Sequence, residues 1–419
     1  MKALFRLAFK SLINRKVTSL LCLFSITLSV LLFLSIEKVR KGAREGFMNT
    51  IGQTDLLVGA KGSPLQLLLY TVFHLGQAVN NIRYSSFETI KKNPMVDWAV
   101  PISLGDSYKG HRVVATNTDF FKHYRFRGDQ GLSFAMGKMG IEVFDVVLGA
   151  SVAKKFQFKL NDKIVVSHGL GDIGGGNTHA KTPFRIVGIL NQTQTPVDQS
   201  VYITLEGMEA IHVGWENGMA PSDETQIDYT KVDLKPKQIT SFFLRCESRI
   251  MLLRLRYQIN QFPDEPLMAS VPALALQELW ATMSVMENVL FLVSVMVLLV
   301  GMLGVVIALY SSLEQRRREM AILRSIGMSV GQMFFLLVLE SFFLTLLGAI
   351  LGLLGVYALL YFMGPIFESY FSVMLEITKP SLEEWTFLLL VVGMGVLFAI
   401  IPAFAAYKKS LADGLTVKS

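Results

Sequence analysis

The residues best suited to chemistry surround a glycine-rich stretch, Ser167 to Lys181, which reads SHGLGDIGGGNTHAK. His168 and His179 bracket it, and Asp172 lies between them. Two imidazoles and a carboxylate are transition-metal ligands by type. Such glycine density reads first as a mobile loop, and two solvated loop histidines account for the same residues without a metal. Gly169, Gly171 and Gly174 also fit G-x-G-x-x-G. No helical pattern follows them and no acidic residue stands in the right context, so the dinucleotide reading falls. Glu340 is notable for a different reason: it is the single charge between Ser325 and Phe367. Three consecutive arginines, Arg316, Arg317 and Arg318, lie between two long apolar runs. No nucleophile–base set accompanies these residues, and G-x-x-x-x-G-K-[ST] does not occur, so the chain is expected to be neither an enzyme nor an ATPase.

Hydropathy sets the elements that must hold these residues. Of 419 residues, 52% are hydrophobic and 17% charged, against about a quarter charged in soluble domains, and mean hydropathy is +0.44. The apolar residues gather into four runs, 17–36, 288–313, 330–363 and 385–407. Each is long enough for the roughly 20 helical residues that cross a bilayer. No small-residue cleavage site follows the first run, so it reads as a retained anchor. Cys22 lies within that run behind a bulky leucine, against lipidation, and Cys246 lies far from it, so no disulfide framework follows.

Lysine and arginine near the span ends set the orientation. Lys2, Arg6, Lys10, Arg15 and Lys16 precede the first run, Arg316 to Arg318 and Arg324 follow the second, and Lys408, Lys409 and Lys418 follow the fourth. Both termini and the arginine segment are therefore expected in the cytoplasm. Lys38, Arg40, Lys41 and Arg44 disagree, because they follow the first run on the opposite side. The net charge of +7 thus belongs to loop orientation, and no aromatic-and-basic pattern suggests nucleic acid. Residues 1–16 place Leu4, Phe5, Ala8, Phe9, Leu12 and Ile13 at helical spacing opposite Lys2, Arg6 and Lys10, which suits an interfacial helix or an extension of the first span.

The fold class expected is membrane α-helical, with four transmembrane helices and a large α+β extracytoplasmic domain between the first and second. That domain covers 53–275, flanked by stalk helices over 37–52 and 276–287. A periplasmic loop follows over 364–384 and a cytoplasmic tail over 408–419. Short valine- and isoleucine-rich segments predict strands at Trp98 to Ser103, Arg112 to Ala115, Lys163 to Ser167, Phe184 to Leu190 and Ser200 to Thr204. Helices are expected over Ser85 to Lys92 and Lys237 to Phe262. Gly301, Gly304, Gly348, Gly352 and Gly355 offer small surfaces for helix packing, within the chain or in a dimer. Glu340 would fall about 15 Å into its span, where a charge is costly and must face protein.

Segment 314–329 carries Glu314, Arg316, Arg317, Arg318 and Glu319, then an apolar stripe of Ile322, Leu323 and Ile326, with Arg324 beside it and Gly327 as a stop. The positive-inside rule explains the arginines but not the stripe. LEQRRREMAILRSIGMSVGQMFFLLVLESFFLTLLGAILGLLG resembles the signature of the FtsX-like, or MacB-type, ABC transporter permeases, relatives of the lipoprotein-releasing permeases. Glu314, Arg316 or Arg317, Glu319, Arg324, Gly327 and Glu340 occupy the places of that pattern. VLGASVAKKFQFKLNDKIVV and FRIVGILNQTQTPVDQSVYITL resemble the family's outer domain, and IPAFAAYKKSLADGL its closing segment. The resemblance implies a multi-pass inner-membrane permease that works as a homodimer with two copies of a separate cytoplasmic ATPase, which binds the ATP and magnesium. Segment 314–329 would be the coupling helix. ATP hydrolysis would reshape the outer domain, a mechanotransmission that exports or extracts a lipoprotein, lipid, peptide or toxin with a periplasmic or outer-membrane partner. The alternative is a regulatory transmitter that activates a periplasmic partner such as a cell-wall hydrolase, without transport.

Overall fold

A computed structural model describes residues 2–48, 50–78, 80–168, 179, 182–214, 229, 231–315, 322, 324–325, 327–371 and 379–413. The chain divides into two compact units.

The first unit is helical and holds residues 1–42, 284–366 and 375–419. Four helices, Lys16–Met48, Pro272–Gln315, Val330–Phe371 and Leu382–Asp413, each contain a stretch long and apolar enough to cross a membrane. A shorter helix, Lys2–Asn14, ends at Arg15. It buries Ala8 against Leu336 and Leu339, and the Phe5 ring meets Phe343 edge-on at 6.0 Å. Leu7, Phe9 and Ile13 remain exposed, the pattern of a helix with one face for protein and one for lipid headgroups.

Glycine permits the tightest approach in this unit. Gly348 and Gly352 stand one helical turn apart on Val330–Phe371. A Cβ on either would lie 2.7 Å from the side chain of Ile26 or Val30, on the first span. A larger residue at either position would push the two helices apart, and backbone proximity is what holds apolar helices together where no hydrophobic effect acts between them.

The second unit is α+β and holds residues 43–283 and 367–374. Its main sheet runs Leu267–Ser270, Leu56–Ala60, Ser241–Cys246, Val96–Tyr108, His111–Thr116, Val201–Thr204, Asp145–Leu148, Phe184–Leu190, Phe134–Gly137. The first half is antiparallel. Two pairs in the second half are parallel, His111–Thr116 with Val201–Thr204 and Asp145–Leu148 with Phe184–Leu190. Short strands Ser167–His168 and Lys163–Ile164 add to Val96–Tyr108 and Phe184–Leu190 respectively.

Side chains alternate across a strand, and here both faces are covered. Val113, Ala115, Val146, Leu148, Val201 and Ile203 enter one core, packed by Phe87, Val152, Met208 and Ile259. Val114, Val147, Tyr202 and Phe243 enter the other, packed by Leu67, Phe120, Ala275 and Leu276.

This two-sided burial overturns one sequence expectation. Lys237 to Phe262 is not one helix. It forms the strands Gln238–Ile239 and Ser241–Cys246, a 3-10 turn at Arg249–Met251, and only then the helix Leu252–Asn260. Ser241 to Leu244 are all buried. A strand buried on both faces loses its alternation and reads as a continuous apolar run, which resembles a buried helix.

Candidate functional site

Asp106 lies on the strand Val96–Tyr108 and is fully buried. His168 is its cross-strand partner: the short strand Ser167–His168 pairs antiparallel, with Ser167 opposite Ser107 and His168 opposite Asp106. Directly opposed residues share one face of a sheet, so the ladder itself brings the imidazole to the carboxylate. His179 follows the glycine-rich stretch. Its backbone N–H donates to the Val166 carbonyl (3.0 Å), and its own carbonyl accepts from the Thr182 N–H (3.0 Å) and hydroxyl (3.2 Å). His212 comes from a third direction, as the last residue of the helix Leu205–His212. Thr204 caps the start of that helix by accepting from the Gly207 N–H at 3.0 Å, the usual device for an orphan first-turn donor.

The four side chains converge. His168 Nδ1 lies 3.2 Å from Asp106 Oδ1, His179 Nε2 3.4 Å from Oδ2, and His212 Nε2 3.7 Å from Oδ1. His212 Nε2 also lies 3.2 Å from His168 Nδ1. Neither Asp106 oxygen makes a well-aligned hydrogen bond, so these are close electrostatic contacts. Burial pushes the Asp106 carboxyl up, but His179 and His212 outweigh it and hold it at about 2. Burial also opposes protonation of His212, and Asp106 more than offsets this, so the imidazole titrates above its ordinary value.

Sequence reasoning singled out His168 and His179 but treated them as solvated. His179 is 3% exposed, because its backbone pairs with Val166 and draws the ring onto the sheet. Asp172 lies outside the described residues. Asp106 and His212 were missed. The available signal was compositional: three of the chain's six histidines stand in this cluster, which local spacing does not show.

The other sequence candidates lie elsewhere. Glu340 is fully buried, as are Ser341 and Thr345 on the same helix. The Ser341 hydroxyl donates to the Gly395 carbonyl of the last span at 3.0 Å. A Cβ on Gly355 would meet Leu31 at 2.8 Å and one on Gly301 would meet Ser29 at 2.6 Å, while at Gly304 the nearest atom is Ser25 Oγ, 3.8 Å away. All five candidate glycines thus face the first span of their own chain. Glu314 lies in the last turn of Pro272–Gln315. Arg316, Arg317, Arg318, Glu319, Leu323 and Ile326 lie outside the described residues. Ile322 and Arg324 are helical, Ile322 is exposed, and Gly327 turns the chain at φ 97° with its N–H on the Arg324 carbonyl (2.9 Å).

A second polar cluster joins all four spans. Lys38 pairs with Glu384 at 2.9 Å, and Arg40 with Glu37 at 2.6 Å and Glu287 at 3.4 Å. Lys41 pairs with Glu383. The Tyr357 hydroxyl donates to Glu384 at 3.2 Å. Three of the four cations that disagreed with the orientation rule, Lys38, Arg40 and Lys41, are therefore matched by carboxylates from other helices.

Comparison with known proteins finds two family models. Residues 19–240 match the MacB-like periplasmic core domain, and residues 291–412 match the FtsX-like permease C-terminal region. No curated protein matches. Among solved structures, the periplasmic region of MacB from Actinobacillus actinomycetemcomitans aligns at 13% identity and TM-score 0.34, over 55% of this chain and 94% of that one. The extracellular domain of the noncanonic ABC-type transporter YknZ from Gram-positive bacteria aligns at 10% identity and TM-score 0.29, over 52% and 98%.

Proposed function

Because the chain belongs to the FtsX-like, MacB-type ABC transporter permeases, we propose that it couples a separate cytoplasmic ATPase to shape change in an extracytoplasmic domain. The observation that carries this reading is the unbroken helix Pro272–Gln315, 44 residues long. At 1.5 Å per residue it extends about 66 Å, roughly twice the hydrocarbon thickness of a bilayer. Its first residue follows the edge strand Leu267–Ser270, and its last adjoins the arginine segment. In the proposed coupling, displacement at the arginine end would pass along this continuous helix toward the outer domain. Lys16–Met48, 33 residues long, is the continuous helix that leads into the domain in sequence and would serve the same coupling.

In this scheme 314–329 docks on the ATPase, two permease copies meet two ATPase copies, both termini are cytoplasmic, and the α+β domain is periplasmic. ATP and magnesium belong to the ATPase. The work delivered outside moves a lipoprotein, lipid, peptide or toxin. Arg317→Glu combined with Arg318→Glu tests the docking. The double variant should insert into the membrane normally and lose co-purification of the ATPase. Wild-type co-purification would defeat the proposal. A pull-down on the full chain then separates transport, marked by an adaptor or outer-membrane protein, from activation of a cell-wall hydrolase.

A further inference from the structure

We propose that Asp106, His168, His179 and His212 bind one divalent transition-metal ion, with zinc the cation that fits the set best. The donor types come first. Three imidazole nitrogens and one carboxylate oxygen suit zinc and its neighbours, whereas calcium and magnesium take oxygen shells.

Spacing is the stronger point. Zinc–nitrogen and zinc–oxygen bonds of about 2.0–2.2 Å in a tetrahedron place neighbouring donors roughly 3.3–3.6 Å apart. His168 Nδ1 and His212 Nε2 lie 3.2 and 3.7 Å from Asp106 Oδ1 and 3.2 Å from each other, His179 Nε2 lies 3.4 Å from Asp106 Oδ2, and one donor atom from each residue lies within 4.8 Å of the others. The set needs only small adjustments to close on an ion.

The orientation of His212 agrees. Its Nδ1 lies 2.7 Å from the Met208 carbonyl. A carbonyl only accepts, so Nδ1 carries the proton and Nε2 turns its lone pair toward the cluster. A ligating histidine held by a carbonyl on its other nitrogen is the recurrent outer-shell arrangement of metal sites. Charge balance points the same way. A buried carboxylate needs one cation, and a single imidazolium would serve as an ion pair. Three imidazoles on one carboxylate exceed that need, and each added protonated ring would repel the others.

Four protein donors fill a tetrahedral shell and leave no position for water or substrate, which marks a structural or sensing ion and not a catalytic one. The ion would tie Val96–Tyr108, Ser167–His168, His179 and the end of Leu205–His212 at one point. This role is independent of how the permease meets its ATPase, so either idea can fail alone.

The test uses untagged full-length protein in detergent, stripped with a chelator and titrated with cobalt(II), then zinc. The wild type should take up about one cobalt per chain with the visible bands of tetrahedral cobalt, and zinc should displace it. Magnesium should not. Loss of an outer-shell partner alone weakens metal binding about 10–100-fold, so His212→Ala and His168→Ala should weaken it by on the order of 100-fold or more. Both histidines are partly exposed, so these variants should fold. Zinc should raise the melting temperature of the wild type and not of either variant. A wild type that takes up no cobalt, or variants that bind as it does, would overturn the proposal.

Discussion

The two polar clusters of this chain solve the same problem in opposite ways. At the ends of the spans, Lys38, Arg40 and Lys41 meet Glu37, Glu287, Glu383 and Glu384. In the α+β domain, three imidazoles meet the single carboxylate of Asp106. The first cluster sets three cations against four carboxylates, so it is nearly charge-balanced and complete by itself. The second has three imidazole donors around one carboxylate, a set that a bound cation completes. Charge-matched long side chains mark a structural clasp, and convergent short-armed donors mark a ligand site. Backbone placement sharpens the distinction. The clasp draws on flexible side chains from four helices, while Asp106 and His168 are fixed opposite each other by a strand ladder.

If the clasp is structural, breaking its most enclosed pair should give the largest effect. The side chains of Lys38 and Glu384 are only 12% and 11% exposed. Glu384→Ala should destabilise the full protein by about 3 kcal/mol, because it strands a largely enclosed ammonium. Adding Lys38→Met should recover most of that loss, since the cost comes from the orphaned charge. Thermal unfolding in detergent measures both. A double variant no more stable than Glu384→Ala would mean that the pair is not the unit.

Much of the helical unit was legible in the sequence. The spans stood out because few elements besides a membrane helix need twenty apolar residues in a row, and strands such as Phe184–Leu190 stood out for their branched residues between turn residues. Ser241–Cys246 was not legible, because burial on both faces erases the period of two. Lys38, Arg40 and Lys41 looked like a breach of the orientation rule, since the carboxylates that Arg40 and Lys41 meet on other helices lie 247 and 342 residues away. The donor cluster failed to appear for the same reason. His168 and His179 are near in sequence, whereas Asp106 joins them only through strand register and His212 only through helix packing.

A third buried polar group, His74, sharpens the comparison by having no carboxylate. Its Nδ1 meets Ser200 Oγ at 2.7 Å. Burial, and then the nearby Arg112, pushes it down to about 3. In the unfolded chain it would titrate near 6.5. Between those values the unfolded state binds a proton that the folded state refuses, so stability falls as pH drops from about 6.5 toward 3, by up to roughly 1.4 kcal/mol per unit. Above pH 6.5 the effect vanishes. His74→Asn keeps a polar side chain at a position with φ 54°, which asparagine tolerates. It should flatten the acid limb of a stability–pH profile relative to wild type. Identical slopes from pH 6.5 to 5 would show that a buried imidazole without an anion is not acid-labile here.

The smallest effect is expected one residue from the largest. Glu383 pairs with Lys41, but its side chain is 74% exposed and that of its partner 41%. Water solvates both charges almost as well unpaired, and the pair must freeze two long side chains to form, so an exposed ion pair contributes little. Glu383→Gln should leave the melting temperature unchanged within error, in low salt and in high. Glu384→Ala, its neighbour, should lower it clearly. The two carboxylates share a helix and a charge, each pairs with one lysine of the first span, and they differ in enclosure. If Glu383→Gln destabilised as strongly as Glu384→Ala, net charge balance and not burial would hold the clasp together. The contrast with the donor cluster would then rest on charge count alone.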